Sequence, residues 1–133
     1  MAFDWNEFYT VFNNRMKNEC PNCKVGRYIV PKPSDFPYCD ILLTDISGGN
    51  YDLSGNEGTV NPMITVSVYD AGIMANANCE KNSAKAKKIM LSYGFQCRSG
   101  PIPVTNAADP SICRWVARYQ HVVGAGDKLK RLN

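Results

Sequence analysis

Histidine and long apolar runs are scarce in this 133-residue chain. It has one histidine and no run approaching the roughly 20 apolar residues that a membrane-spanning helix needs. A single histidine excludes metal sites built from several histidines and mechanisms that require two. The first residues are neither basic nor apolar, so the sequence predicts no secretory signal. We therefore expect a chain that is made in a cytoplasm and has no membrane partner.

The composition is that of an ordinary globular protein, with 44% hydrophobic, 20% charged and 11% aromatic residues. The length predicts one domain over residues 1–133. The formal net charge of +3 is small for a dedicated nucleic-acid binder, but it is unevenly distributed, with −4 in residues 1–70 and +7 in residues 71–133. A subunit with one acidic and one basic half suits head-to-tail association as well as contact with nucleic acid.

Six cysteines are spread along the chain, and without an export signal they indicate buried thiols rather than a disulfide framework. The exception is the pair Cys20 and Cys23, whose spacing suits a zinc knuckle or a redox pair. A structural zinc ion needs four ligands, and the sequence has no second closely spaced pair. A redox pair would open a helix, whereas this pair follows a helical segment. We expect no metal or other cofactor, and a zinc-binding adaptor that uses Cys20 and Cys23 is kept as an alternative.

Hydrophobic periodicity predicts two helices and four strands. Residues 4–17 carry an apolar stripe at helical spacing, with Asp4 and Glu7 placed to cap the first turn. A second helix begins at residue 76 or 78 and ends before Gly94. Strands are predicted at 38–45, 63–70, 95–105 and 112–123, with a short extended piece at 27–30. The pattern favours an α+β fold with two helices on one face of a four-stranded, mainly antiparallel sheet, in the order α-β-β-α-β-β.

Two segments lie outside this pattern. Residues 46–62 are rich in Gly, Asn and Ser and form a predicted loop that is too long for a hairpin turn. Loops of this length usually carry function or contact a partner. Residues 124–133 are predicted to form a loose basic tail.

Two predicted surfaces are candidates for contact with another chain. The last strand places Arg114 and Arg118 among apolar residues on its face away from the helices. Two helices cannot cover both faces of a sheet, so we expect another chain to complete this surface. Arginine and tyrosine are enriched at interfaces, and Tyr69 is also available. On the second helix, Lys85 and Lys88 belong to a lysine row that is either solvated or in contact with an acidic neighbour or DNA.

The sequence contains no recognisable catalytic constellation. The glycines at 48–49 and 54–58 are not followed by a lysine in phosphate-loop spacing. The aspartates at 40, 45, 52 and 70 are scattered and do not form a calcium-loop pattern. His121 lies in a predicted strand and is expected to be a packed structural residue. We therefore expect a protein that is not an enzyme.

Two stretches carry a family resemblance. They are YDLSGNEGTVNPMITVSVYDAG (residues 51–72) and GFQCRSGPIPVTNAADPSICRWVARYQHVVGAGD (residues 94–127). Both resemble small neck proteins of long-tailed bacteriophages and prophages, which are tail terminator, tail completion or head–tail joining proteins. With the lysine-rich helix between them, the resemblance covers about residues 38–127. It rests on the order of the helices and strands and on the similarity of the two quoted stretches.

The resemblance implies an α+β structural subunit of the virion that forms a ring, commonly six-fold, at the head-proximal end of the tail tube. The ring would end tube growth and join the tail to the head. Its implied partners are copies of itself, the tail tube protein, the head connector or stopper protein, and DNA that passes through the lumen without sequence readout. A head-completion or connector-side adaptor is the alternative within this class. The residues expected at subunit or partner contacts are Tyr51, Asp52, Glu57, Tyr69, Lys85, Lys88, Arg114 and Arg118.

Overall fold

A computed structural model describes residues 4–27, 35–48, 59–105, 111–121 and 123–124. Over these residues the chain forms two α-helices and six β-strands. In chain order they are α1 (Trp5–Glu19), β1 (Lys24–Arg27), β2 (Tyr38–Gly48), β3 (Thr59–Ala71), α2 (Ala75–Ser92), β4 (Gln96–Pro103), β5 (Ile112–Gln120) and β6 (Val123–Gly124). Neither described helix is long and apolar enough to cross a membrane.

The strands form one sheet, in which five strands follow the order β1-β2-β3-β5-β4 and β6 pairs with the start of β3. The α+β class is as predicted. The described sheet is mixed and has six strands, however, because β1 runs parallel to β2 while the other pairs are antiparallel. β1 also lies at Lys24–Arg27, earlier than the predicted extended piece. The two additional strands have four and two residues, too few to show alternation, and their pairing depends on distant parts of the chain.

α1 begins at its predicted cap. The Asp4 carboxylate accepts a hydrogen bond of 3.0 Å from the backbone N–H of Glu7, which satisfies one of the free amides of the first turn. Phe8, Phe12 and Met16 are fully buried, so the predicted apolar stripe is confirmed. The helix ends at Glu19, two residues later than predicted.

α2 runs antiparallel to α1. Phe8 of α1 meets Tyr93 just after the end of α2, with ring centroids 5.5 Å apart, whereas the Cys20 thiol donates to the Asn82 side chain in the middle of α2. Gly94 ends the helical segment with a φ of +89°, as its position predicts. The predicted inward stripe is buried throughout and consists of Cys79, Ser83, Ala86, Ile89, Met90 and Tyr93.

The predicted loop at residues 46–62 is wrong at both ends. β2 continues to Gly48 and β3 begins at Thr59, with Gly48 opposite Val60 and a bulge between Leu43 and Asp45. Val60 also pairs with Val123 of β6. Pairing on both sides therefore holds the start of β3 extended, although its composition is typical of a loop. Three predicted contact residues, Tyr51, Asp52 and Glu57, lie outside the described residues.

β5 ends at Gln120, so the last strand is shorter than predicted. The chain leaves the strand at His121, whose ring centroid lies 5.2 Å from that of Phe95, and re-enters the sheet as β6. The alternation within β5 is as predicted, because Ala117 and Tyr119 are buried in the core under the helices. Of the predicted basic tail, Gly124 belongs to β6, and 125–133 lie outside the described residues.

Candidate assembly surface

The sheet surface that faces away from the helices is covered at its centre and open along β4. Thr65, Ser67 and Val116 point away from the helices but are only 8%, 6% and 5% exposed. Thr65 lies in register between Leu42 and Arg118, so larger side chains flank the small one. The centre of this face is therefore covered within the subunit, and the part that remains open to another chain is its margin along β4.

The open margin contains apolar and basic side chains. Ile102 and Val104 are 53% and 37% exposed, and Ile102 is paired with Val116. We use the name β4–β5 face for this margin together with the adjoining side chains of β3 and β5, among which Val116 is buried; it consists of Tyr69, Arg98, Ile102, Val104, Arg114, Val116 and Arg118. The sequence interpretation did not include Ile102, Val104 or Arg98. The alternation of Ile102 and Val104 with Pro101 and Pro103 is the signal that would have indicated the first two.

Two of the predicted contact residues, Arg114 and Tyr69, lie next to each other. They face each other in register on β5 and β3, and the Arg114 guanidinium carbon lies 5.9 Å from the centroid of the Tyr69 ring. The Tyr69 ring is also stacked on the ring of Phe36, with their centroids 6.4 Å apart. The Nε of Arg114 is buried and has no hydrogen-bond acceptor among the residues that the structure describes. A buried donor without an acceptor is costly, so a partner that supplies an acceptor here would gain affinity.

Arg118 is exposed and lies in register between Thr65 and Ser99. Arg98 is also exposed, and its Nε donates to the Gln120 side chain at 3.2 Å. Within the described ranges, neither of these arginines nor Arg114 forms an ion pair. The β4–β5 face therefore carries three positive charges that the described chain does not neutralise.

Two irregularities interrupt the pairing of β4 with β5. Register shifts occur between Cys97 and Ser99 and between Ser99 and Ile102. Gly100, within the second, has a φ of +80°, and a Cβ there would overlap the carbonyl oxygen of Val116. As the two prolines predict, β4 lies at the edge of the sheet. This glycine therefore determines how closely the strand carrying Ile102 approaches β5.

Lys85 and Lys88 lie on the opposite layer of the molecule and are not part of the β4–β5 face. Lys85 Nζ donates to the backbone carbonyl of Glu19 at 2.7 Å, which caps the end of α1. Lys88 Nζ lies 3.5 Å from the Glu19 carboxylate. Both side chains thus have intramolecular partners, which the sequence could not show because Glu19 belongs to the other helix.

Cys20 and Cys23 are buried thiols with protein partners. The Cys20 thiol donates to the Asn82 side-chain oxygen at 2.9 Å. Burial, reinforced by the neighbouring Cys20, raises the pKa of Cys23 from 9.0 to about 12. A thiol that stays protonated is a poor metal ligand and a poor nucleophile. No group of three or more His, Cys, Asp or Glu side chains in the described chain is arranged to hold a metal ion.

A cluster of polar side chains that the sequence did not indicate fixes the start of α2 against the sheet. Asp70 accepts hydrogen bonds from the Ala71 backbone N–H at 2.8 Å and from the Asn78 side chain at 2.9 Å. The Asn76 side chain accepts a bond of 2.9 Å from the Trp115 indole. These contacts are internal to the fold and leave Asp70 in a structural role.

A groove of about 790 Å³ lies between α1 and β1. Arg27 at its wall is already engaged, because it donates to the Asn6 side chain at 2.8 Å and lies 4.5 Å from the centroid of the Tyr9 ring. Burial, with the nearby Asp40 carboxylate, raises the pKa of Tyr38 from 10.0 to about 12, so this hydroxyl stays protonated near neutral pH. The groove thus offers no group from these residues that would exchange a proton near pH 7.

No protein-family model matches the sequence, and no curated protein is significantly similar to it.

Proposed function

We propose that this protein is a structural subunit of the neck of a long-tailed bacteriophage. In this role it forms a ring, six-fold by analogy with the family it resembles, at the head-proximal end of the tail. The ring ends growth of the tail tube and joins the tail to the head connector. The observation that carries the proposal is the β4–β5 face, where exposed Ile102 and Val104 adjoin three arginines without ion-pair partners in the described chain.

The chemistry of this face favours contact with a protein. Interfaces are enriched in arginine and aromatic residues around an apolar centre, and Arg114 stacked on Tyr69 beside Val116 has this composition. An exposed apolar surface that is rimmed by charged side chains is typical of a contact with another protein. A subunit surface that is completed by a neighbouring subunit explains both features.

The charge distribution supports repeated contacts between copies of the chain. A ring requires heterologous contacts, in which one patch of a subunit meets a different patch of the next. The first 70 residues have a charge of −4 and the remaining 63 have +7, so each copy supplies both signs. The arrangement of both helices on one side of an antiparallel-rich sheet is also the one that the family resemblance implies.

The role is mechanical rather than catalytic. Buried thiols and a protonated Tyr38 are the groups with clearly raised pKa values near the described grooves, and none is suited to acid–base chemistry near pH 7. The tail tube protein and the head connector or stopper protein are the neighbouring partners in this proposal. DNA passes through the lumen, where contacts with phosphates carry no sequence information.

The proposal is tested by reversing one charge on the β4–β5 face. Arg118 is exposed, so Arg118→Glu is expected to leave the circular dichroism spectrum and thermal unfolding unchanged. The same variant is expected to abolish the rings seen by negative-stain electron microscopy. Lys81→Glu makes the same charge change at an exposed site near the start of α2 and is expected to assemble normally. Rings of normal number and size from Arg118→Glu would remove the β4–β5 face from the assembly.

A further inference from the structure

The three arginines of the β4–β5 face favour a partner that presents carboxylates. Arg98, Arg114 and Arg118 have no ion-pair partner among the residues described, and the buried Nε of Arg114 lacks an acceptor there. Charge-assisted hydrogen bonds from arginine to carboxylate are stronger than neutral ones and favour a planar, two-bond geometry. The partner that fits this face therefore presents an acidic side chain, preferably next to apolar surface.

The first turn of α1 is the acidic surface of the described chain that best meets this requirement. Asp4 and Glu7 are both exposed there, and Glu7 forms no ion pair with a described residue. The nearby Arg27 does not neutralise it, because Arg27 donates to the Asn6 side chain and lies over the Tyr9 ring. Half-buried Trp5, in the same turn, supplies an aromatic surface for Ile102 and Val104.

The two other glutamates of the helices are less suitable. Glu19 is paired with Lys88 at 3.5 Å. Glu80 lies on α2, where the remaining charged side chains are Lys81, Lys85, Lys87 and Lys88. A helix face with this excess of positive charge would repel three arginines, and juxtaposed like charges suppress association.

The two complementary patches cannot meet within one molecule. α1 packs on one side of the sheet, whereas Arg114 and Arg118 point to the other side. We propose that the β4–β5 face of one copy docks on the first turn of α1 of the next copy, so that Glu7 faces Arg118 and a carboxylate reaches the Arg114 guanidinium. This contact joins different patches, and it can therefore repeat around a ring. It rests on the proposed function in one respect, that the chain assembles with copies of itself.

A charge swap between copies tests the contact. Sedimentation velocity over a concentration series would compare the wild-type chain with Arg118→Glu, Glu7→Arg and the double variant. Each single reversal is expected to weaken self-association by at least about tenfold, because it places like charges opposite each other. The double variant is expected to recover most of the wild-type association. Glu80→Arg, the same change at an exposed glutamate of α2, serves as the matched control and should associate as the wild type does.

The outcomes separate this contact from the ring proposal. The proposed contact is overturned if the wild-type chain associates and Glu7→Arg has no effect, or if the double variant associates as weakly as Arg118→Glu. Either result leaves the ring proposal standing. A wild-type chain that stays monomeric throughout the series would contradict both. If Arg118→Glu instead reduces retention of a short DNA duplex without changing self-association, the arginines face DNA and the contact is wrong. Circular dichroism of each variant controls for folding.

Discussion

Replacing Gly100 by alanine should damage β4 more than the same replacement at another glycine of similar backbone geometry. Gly100 and Gly72 have φ values of +80° and +104°, which L residues adopt at a cost of about 1–3 kcal/mol. A Cβ at Gly72 meets nothing within 4 Å. At Gly100 it would overlap the Val116 carbonyl and lie 2.9 Å from the Ala117 Cα, both backbone atoms of β5.

The expected difference follows from this overlap. Relieving contact with a backbone requires β4 to shift, and such overpacking typically costs about 1–3 kcal/mol. Alanine also restricts the unfolded chain in both variants, so most of this effect cancels in the comparison. Gly100→Ala should therefore lower the free energy of unfolding by about 1–3 kcal/mol more than Gly72→Ala does.

Urea unfolding followed by tryptophan fluorescence measures this difference directly. Because the shift moves Ile102 and Val104, Gly100→Ala should also weaken self-association, whereas Gly72→Ala should leave it intact. Equal unfolding midpoints for the two variants would show that the close approach of β4 to β5 is not what Gly100 provides.

Three further perturbations have expected outcomes. Asp4→Ala should lower the free energy of unfolding by about 1 kcal/mol, because it removes the cap of α1. Asp4→Asn keeps a capping oxygen and should lower it by only about a few tenths of a kcal/mol. Unfolding in urea distinguishes the two variants. The stabilisation that depends on the Cys23 and Tyr38 protons should be complete below about pH 9 and be lost towards pH 12, because over this range the unfolded chain loses these protons while the folded chain keeps them. The free energy of unfolding of Cys23→Ala should fall less steeply than that of the wild type between these pH values. An unchanged slope would refute this assignment. Purified protein should contain no stoichiometric zinc, and Cys20→Ser should leave its metal content unchanged, because the Cys20 thiol is already hydrogen-bonded to Asn82. Elemental analysis measures this. One zinc per chain that is lost in Cys20→Ser would instead support the zinc-adaptor alternative.

The helices were predictable because their signals are local. The cap at Asp4, the buried stripe of α1 and the stop at Gly94 each depend on residues within a few positions of one another. The same holds for the alternation of β5, which places Ala117 and Tyr119 on the buried face and Arg114 and Arg118 on the other, whereas the register that puts Arg114 beside Tyr69 depends on the distant strand β3.

The remaining features depend on distant parts of the chain. The extension of β3 back to Thr59 is stabilised by pairing with β2 and β6, and no local pattern encodes that pairing. Lys85 and Lys88 looked like a free surface because their partner Glu19 is over sixty residues away. The burial of Thr65 reflects the larger side chains opposite it in register, which alternation alone does not reveal.

The location of the chain in an assembled particle tests the central proposal most directly. The proposal predicts that cryo-electron microscopy of long-tailed phage particles, purified from cells that produce this protein, shows it as a closed ring between the tail tube and the head connector, with Arg118 of each copy against the neighbouring copy. A ring in which the β4–β5 face is open to solvent, or a particle whose neck lacks this chain, would contradict the account.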